Sequence, residues 1–348
     1  MNRKAATIRD VAEASGVSTA TVSYVLNNGP RNVEPSTRMR VLDTIARLKY
    51  HPNGVARGLS RKRMDCLGIV FPEPHQRLVA DSYFNAILDG VVEAATDAEQ
   101  NVMLYTGFKW SGRESLPTLC DSRVDGLVII AANTDSDIVP LLVDAGRSFV
   151  LVSDTTADGR VSSVDIDNIR AVEEIIDHLV RLGHRQIALL SGEDTSPSTR
   201  PRRNGFLKAM ARHGLAVTPE YFIEGYYSRE WGEVATADLL RLPEPPTAIF
   251  AGGDGIAMGV YSACAKAGVS IPGDISVIGF DDAPFAKDAI PSLTTIRHPL
   301  TQIGLQAARI LIDQIEHRAE GFETQKLVLP AHLVVRESTA PPRQIRPD

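Results

Sequence analysis

The sequence predicts an α/β protein made of a small helical head, a short linker and a large two-lobed body of parallel sheets. Three observations predict it. Residues 7–28, TIRDVAEASGVSTATVSYVLNN, have the apolar spacing of two short helices joined by a glycine turn. From Cys66 onward, short apolar runs alternate with helical stretches in two successive series, the pattern of parallel βαβ units. Charge divides the chain at the same place. Residues 1–63 hold twelve Lys or Arg against four Asp or Glu, a balance of +8; the whole 348-residue chain stands at −6, so the remainder carries −14.

In the first helix Val11, Ala12 and Ala14 fall on one stripe, and Val22, Val25 and Leu26 recur at helical spacing on the second, so Ala12 and Val22 should pack between the two. Gly16 occupies a turn that needs a positive φ. Ser18 stands where its hydroxyl can cap the second helix. Thr19, Ala20, Ser23, Tyr24 and Asn27 then face outward, as on a helix presented to a DNA groove. An ordinary helical hairpin fits the same spacing, and charge favours the DNA reading: a basic head attracts phosphates and releases counterions, while an acidic body is repelled. After Val33 a third helix is expected, with Met39, Val41, Leu42, Ile45, Ala46 and Leu48 as its apolar positions and His51-Pro52 as its end. This closes a helix-turn-helix headpiece over residues 1–51. Residues 52–63 form a linker too short and glycine-containing to hold a helix alone. Read as a hinge, it becomes helical only against DNA, with Leu59 wedged into the minor groove.

In the body, CLGIVFP, NVMLYTG, GLVIIAA and FVLVSD read as the first four strands, with helical stretches over residues 84–99, 115–122 and 137–145. The second series runs through a helix over 168–181, QIALLSG, a helix over 202–213, YFIEGYY, a helix over 235–240, AIFAGGD, a helix over 257–267, and SVIGFDD. Two such series make two Rossmann-like lobes facing a cleft. The late strands TTIRH and LVLPAHLVV, with a helix over 300–317 between them, cross back between the lobes. The expected body is thus residues 64–340, with lobe 1 near 66–165 and 296–322, lobe 2 near 166–292 and 325–340, and a tail at 341–348. The ending STAPPRQIRPD has no heptad pattern, which argues against a C-terminal tetramerisation bundle.

No apolar run reaches the length of a membrane span and no apolar core follows the basic N-terminus, so a cytoplasmic protein is expected. Cys66, Cys120 and Cys264 are far apart, odd in number and without a CxxC pair, which suits buried thiols better than disulfides or zinc. Enzyme signatures are missing. GGDG at 252–255 lacks the Lys-Ser/Thr of a phosphate loop, neither GxSxG nor HExxH occurs, and His178 and His184, six apart, read as structural. No catalytic role, cofactor or metal is expected.

In open parallel sheets the residues just past the strand ends line the ligand crevice. Here these are Asp81 to Phe84, Asp154, Arg200, Arg202, Tyr226, Tyr227, Asp254, and Asp281 with Asp282. Carboxylates and guanidinium groups make directional hydrogen bonds and aromatic faces stack, so a small polar ligand is indicated. Adjacent Asp281 and Asp282 should point in different directions, leaving one to face the ligand. His75 and Arg77, in the long first cleft loop FPEPHQRLVADSYF, read as solvated.

With these residues in view the chain resembles the lactose/galactose repressor (LacI/GalR) family of bacterial transcription regulators along nearly its full length. The matching segments include DVAEASGVSTATVSYVLN, TRMRVLDTIARLKYHPNGVARGL, VDGLVI, HLVRLGHRQIALLSG, FLKAM, GDGIAMG, GVSIPGDISVIGFDDAPFA and PSLTTIRHPL. The resemblance implies a periplasmic-binding-protein-like body and a homodimer on near-palindromic, double-stranded operator DNA, with dimer contacts that include the helix starting near Phe84. Its candidate DNA contacts are Thr7, Ser18, Thr19, Ala20, Thr21, Ser23, Tyr24, Asn27, Asn53, Ala56, Arg57 and Leu59. Thr19, Ala20 and Tyr24 stand at the family's specificity positions, where Ala20 can offer only methyl contact. Candidate effector contacts are Asp81, Tyr83, Phe84, Asp154, Arg202, Tyr227, Asp254 and Asp281. Sugar-responsive relatives commonly carry an asparagine before the aspartate at Asp254; Gly252 and Gly253 stand here instead. The implied function is an operator-binding repressor controlled allosterically by a small polar effector such as a sugar; a nucleoside, purine or phosphorylated corepressor is the alternative. A solute-binding protein with the same body would leave the basic head unexplained, and a purely architectural DNA binder would have no use for a polar cleft.

Overall fold

The computed structural model describes residues 6–27, 33–52, 58, 61, 63–71, 81–106, 112–153, 159–318 and 321–343, and the chain divides into two compact units, Met1–Met64 and Asp65–Asp348. The expected hinge contacts Asn53, Ala56, Arg57 and Leu59, the effector candidate Asp154, the loop residues His75 and Arg77, and the side chain of Asn27 lie outside the described residues. Among the described residues no helix is long and apolar enough to cross a membrane.

The head consists of α1 (Ile8–Ser15), α2 (Thr19–Asn27) and α3 (Pro35–Leu48). Thr7 and Asp10 start α1 as a reciprocal capping box: the Thr7 backbone N–H donates to the Asp10 carboxylate at 2.8 Å and the Asp10 N–H donates to the Thr7 hydroxyl at 3.4 Å. Gly16, at φ +67°, ends it in the left-handed conformation that glycine adopts without penalty. The Ser18 hydroxyl accepts from the Thr21 N–H at 3.1 Å, so it does cap α2. Val11, Ala12, Val22, Val25 and Val41 form the buried core, with Ile8, Val17, Leu26, Ile45 and Leu48 around them. The expected stripe of α1 is displaced by one residue: Ala14 is exposed, and Ser15 is buried with its hydroxyl donating to the Val11 carbonyl at 2.6 Å. On α3, Met39, Leu42 and Ala46 are exposed rather than packed, because Val41, Thr44, Ile45 and Leu48 already supply the inward face.

The body begins with β1 (Cys66–Val70), α4 (Ser82–Asp97), β2 (Asn101–Tyr105), α5 (Gly112–Leu119), β3 (Gly126–Ile130), α6 (Ile138–Asp144), β4 (Phe149–Val152) and β5 (Ser162–Ile166). It continues with α7 (Asn168–Leu182), β6 (Ile187–Ser191), α8 (Thr199–Arg212), β7 (Phe222–Glu224), α9 (Arg229–Leu239), β8 (Ala248–Ala251), α10 (Asp254–Ala267) and β9 (Ser276–Asp281). Then come β10 (Thr294–Arg297), α11 (Leu300–Glu316), β11 (Lys326–Leu329) and β12 (His332–Val334). Two six-stranded sheets result, ordered β11-β5-β4-β3-β1-β2 in lobe 1 and β12-β10-β9-β8-β6-β7 in lobe 2. Each pair is parallel except β10 with β12.

The lobe boundaries differ from the expectation at three places. Strand β5 was absent from it and closes lobe 1 between β4 and β11. Strand β10 belongs entirely to lobe 2, so residues 296 and 297 leave lobe 1. LVLPAHLVV is two strands broken at Pro330: β11 joins lobe 1 and β12 joins lobe 2. The chain therefore passes between lobes three times, after β5, between β10 and α11, and between β11 and β12.

Residues 336–343 strap lobe 2. The Ser338 hydroxyl accepts from the Thr294 N–H and donates to the Val277 carbonyl, at 2.8 and 2.6 Å. His184, only 1% exposed, donates through Nε2 to the Ala340 carbonyl at 2.9 Å, and His178 meets Thr339 at 3.1 Å, so both histidines hold this strap in place.

Candidate functional site

On the head, Thr19 and Ala20 are exposed at the start of α2, and Thr21, Ser23 and Tyr24 are half-buried. The hydroxyls of Thr7 and Ser18 serve as caps, so these two residues fix the approach of the helices as well as presenting polar atoms.

In the body, the strand ends bring a continuous polar network together. Asp165, near the end of β5, accepts from the Asn168 amide at 3.2 Å; the Asn168 carbonyl oxygen accepts from Arg202 Nε at 3.0 Å. Arg202 sits one turn into α8, 3% exposed, with its guanidinium carbon 3.6 Å above the Phe280 ring. Its Nη1 donates to the Gly252 carbonyl at 2.5 Å, and its Nη2 lies 3.7 Å from Asp281 Oδ1. The same Asp281 oxygen meets Nδ1 of His298 at 3.1 Å. Asp281 ends β9 at φ +116°, a conformation rarely adopted by an L-residue, and its neighbour Asp282 follows at φ +54°. The two aspartates do diverge. Asp282 is held by Arg297 and Arg336 at 2.7 and 2.6 Å, while Asp281 turns to Arg202 and His298.

Lobe 1 adds an aromatic wall. Asp81 caps α4, accepting from the Tyr83 and Phe84 N–H groups at 2.9 and 3.4 Å. Tyr83 bonds through its hydroxyl to Ser153, past the end of β4, and lies edge-on to Phe84 and 6.0 Å from the His298 ring.

Burial governs the charges. It pushes the Asp281 carboxyl up to about 7, although Arg202 pulls the other way, and Asp81 adds like-charge repulsion. Burial and then the Arg202 charge hold His298 down to about 3, so its ring is neutral at physiological pH. Asp281 and His298 Nδ1 share one hydrogen bond, and His298 Nε2 is buried without a hydrogen-bond partner.

Tyr227 forms a second aromatic wall, its hydroxyl within 3.1 Å of Thr199. Gly192 is required there, since a Cβ would lie 1.8 Å from the Tyr227 ring. A Cβ at Gly253 would lie 3.3 Å from that ring and 3.6 Å from Asp281 Oδ2. The glycine therefore leaves space between the ring and the carboxylate. Asp254 is placed elsewhere than expected: 1% exposed, it accepts from the Thr295 hydroxyl and the Ala283 N–H, both at 2.7 Å, and burial raises its carboxyl well above the usual range. Its oxygens tie β10 and the segment after β9 to α10. Arg200 is likewise turned to the surface, paired with Asp194 at 3.0 Å. A depression of about 490 Å³ beside the first turn of α7 shares only Asn168 with the network.

Asp165, Asn168, Ser153, Phe280 and His298 were not anticipated. The strand-end rule, applied to TTIRH, would have found His298; Asn168 stayed hidden with β5, which no apolar run marks.

Residues 7–53 match the model of the bacterial regulatory proteins, lacI family, and residues 176–339 match a periplasmic binding protein-like domain. Catabolite control protein A of Priestia megaterium is 33% identical over 336 residues, 96% of this chain and 99% of that protein. The chain belongs to the lacI family. This lacI-family chain is a DNA-binding transcriptional regulator, as its relatives are. Its fold is matched by the structure of the lac repressor dimer bound to operator and the anti-inducer ONPF, with a TM-score of 0.83, 29% identity and coverage of 97% of this chain and 100% of that one. A complex of the transcriptional regulator CelR with cellobiose matches at a TM-score of 0.72 and 30% identity, covering 96% and 99% of the two chains.

Proposed function

We propose that this regulator is an operator-binding repressor whose DNA affinity is set by a small polar effector, a sugar or related polyol, held between the lobes of its body. The observation that carries the reading is the buried network Asp165–Asn168–Arg202–Asp281–His298, which lies where the chain passes from lobe to lobe. A ligand bound there touches both lobes and so acts on their relation. The cellobiose in the CelR complex supports the sugar class. Asp81, Tyr83 and Phe84 serve as the lobe 1 contacts and Arg202, Tyr227 and Asp281 as the lobe 2 contacts; Asp254 acts as a structural carboxylate. The protein works in the cytoplasm as a homodimer, with two heads on the halves of a near-palindromic site, and catalyses no reaction. Thr19, Ala20 and Tyr24 read base edges, Thr7, Ser18, Thr21, Ser23 and Asn27 position the helix, and residues 52–63, with Asn53, Ala56, Arg57 and Leu59, contact the central minor groove. A coupling of about 1–3 kcal/mol between the two sites changes operator affinity about 5- to 150-fold.

Selection of bound duplexes from a random library tests this directly. A two-fold symmetric site should be enriched, and a sugar that raises the melting temperature of the protein should change affinity for that site at least about fivefold. Enrichment of no symmetric sequence overturns the reading.

A further inference from the structure

The head is basic, but the helix it presents is not. Among the described residues 6–52 the cations belong to α1 and α3: Arg9 on the first, Arg38, Arg40 and Arg47 on the second, and Lys49 just beyond it. Arg38 Nη1 donates to the Val25 carbonyl at 3.4 Å and Arg40 Nε to the Ser15 carbonyl at 3.0 Å, so these two guanidinium groups tie α3 to α2 and to the end of α1. Helix α2, TATVSYVLN, holds no Lys, Arg, Gln, Asp or Glu.

That composition limits what α2 can read. Guanine is read most strongly by Arg or Lys at O6 and N7, and cytosine by a carboxylate at N4; α2 carries neither kind of group. The N-terminal residues of such a helix are the ones that meet base edges, and here these are the exposed Thr19 and Ala20. The hydroxyls on either side of them are turned to each other: Ser18 Oγ and Thr21 Oγ1 lie 2.9 Å apart, and Ser18 Oγ also accepts from the Thr21 N–H at 3.1 Å. The first turn therefore offers the Ala20 methyl and the methyl and hydroxyl of Thr19, with Ser23 and Tyr24 half-buried one turn farther along. Thymine is the base with a methyl group on its major-groove edge, and its adenine partner presents N7 to a hydroxyl donor.

We propose that α2 reads A·T pairs, seating thymine C5 methyl groups against the methyl groups of Ala20 and Thr19, and makes no bidentate contact to guanine. This assignment rests on the operator-binding reading above and names what the helix selects there. Affinity then comes from the charge on α1 and α3, and sequence preference from apolar contacts on a neutral helix.

The test uses the full-length protein and the symmetric duplex that selection enriches. Each thymine of one half-site is replaced in turn by uracil, which removes only the C5 methyl group, and binding is titrated at fixed salt. Uracil at one or two positions should weaken wild-type binding about threefold to fivefold, the worth of one buried methyl group. Ala20→Gly, which deletes the side-chain methyl, and Thr19→Ser, which deletes a methyl and keeps the hydroxyl, should each bind thymine and uracil duplexes alike at one of those positions. That ratio is taken within a single variant, so a loss of helix stability cancels from it. A C·G pair put in place of the responsive T·A pair should bind more weakly, and 5-methylcytosine at that position should bind more tightly than cytosine by the same threefold to fivefold, about one methyl contact. Uracil duplexes bound as tightly as thymine duplexes at every half-site position, or guanine at the base pair whose enrichment Ala20→Gly relaxes, overturns the proposal and leaves the repressor reading standing. Enrichment of no symmetric duplex removes that reading, and this one with it.

Discussion

Lobe 2 brings to the cleft side chains already bonded to one another, with Arg202 tied to Asn168, Gly252 and Asp281, and Asp281 tied to His298; lobe 1 brings the Tyr83–Phe84 wall and the Tyr83–Ser153 bond. The helix packing differs in a parallel way. In lobe 1, Gly90 and Gly304 let α4 and α11 touch backbone to backbone, joining helices from opposite ends of the body's sequence; in lobe 2, Gly232 and Gly259 do the same for the consecutive helices α9 and α10. The difference teaches that lobe 2 is a preorganised polar template, whereas lobe 1 is a wall whose position depends on a late helix.

Arg202→Ala should break the comparison most strongly. It leaves Asp281 buried without its cation and strips the partners of Asn168 and Gly252, so a loss of about 3–5 kcal/mol in urea unfolding is expected, with the effector response abolished. A loss below about 1 kcal/mol would mean that the network is not preorganised. Next in size is Gly304→Ala. Its Cβ would fall 2.0 Å from the Ile87 carbonyl oxygen, against 2.5 Å from the Ile256 carbonyl oxygen for Gly232→Ala, and backbone cannot swing aside as a side chain can. Costs of about 1–3 kcal/mol are expected for each, larger for Gly304→Ala, as read by thermal unfolding.

Acidity sharpens the comparison further. Asp281, raised from 3.8 to about 7 in the fold, contributes stability that is present below pH 3.8 and lost as pH rises through 7. His298, lowered from 6.5 to about 3, contributes stability that is present above pH 6.5 and lost as pH falls through 3. The two contributions oppose each other over the shared window. His298→Gln removes one of them, so its melting temperature relative to wild type should rise as pH falls from 7 toward 4. A constant offset would show that His298 takes up its proton alike in the folded and the unfolded chain. The smallest effect is Tyr83→Phe, which removes only the bond to Ser153. About 0.5–1.5 kcal/mol is expected, with effector affinity reduced less than in Arg202→Ala.

The head and most strands were legible in the sequence because their signals are local: a capping residue before the second helix, a glycine at the turn, and apolar runs such as GLVII that lie buried on both faces of a parallel sheet. Strand β5, SSVDI, was not, because its two serines and an aspartate defeat an apolar-run criterion although the whole strand is buried. Missing β5 also hid Asp165 and Asn168. Arg202, Asp281, Tyr83 and Phe84 followed from the rule that ligands sit past strand ends. Asp254 obeys that rule in sequence and departs from it in space, since its carboxylate turns toward Thr295 and the segment after β9. Which way a side chain turns at a helix start is set by long-range partners that no local pattern displays.

The interleaving of the lobes also orders the birth of the molecule. A chain leaving the ribosome completes α1 to α3 within its first fifty residues, whereas lobe 1 waits for α11 and β11 and lobe 2 for β12 and the strap ending at Arg343. The DNA-reading unit is thus finished first and the sensing unit last, so a prematurely terminated chain carries the head without either closed lobe.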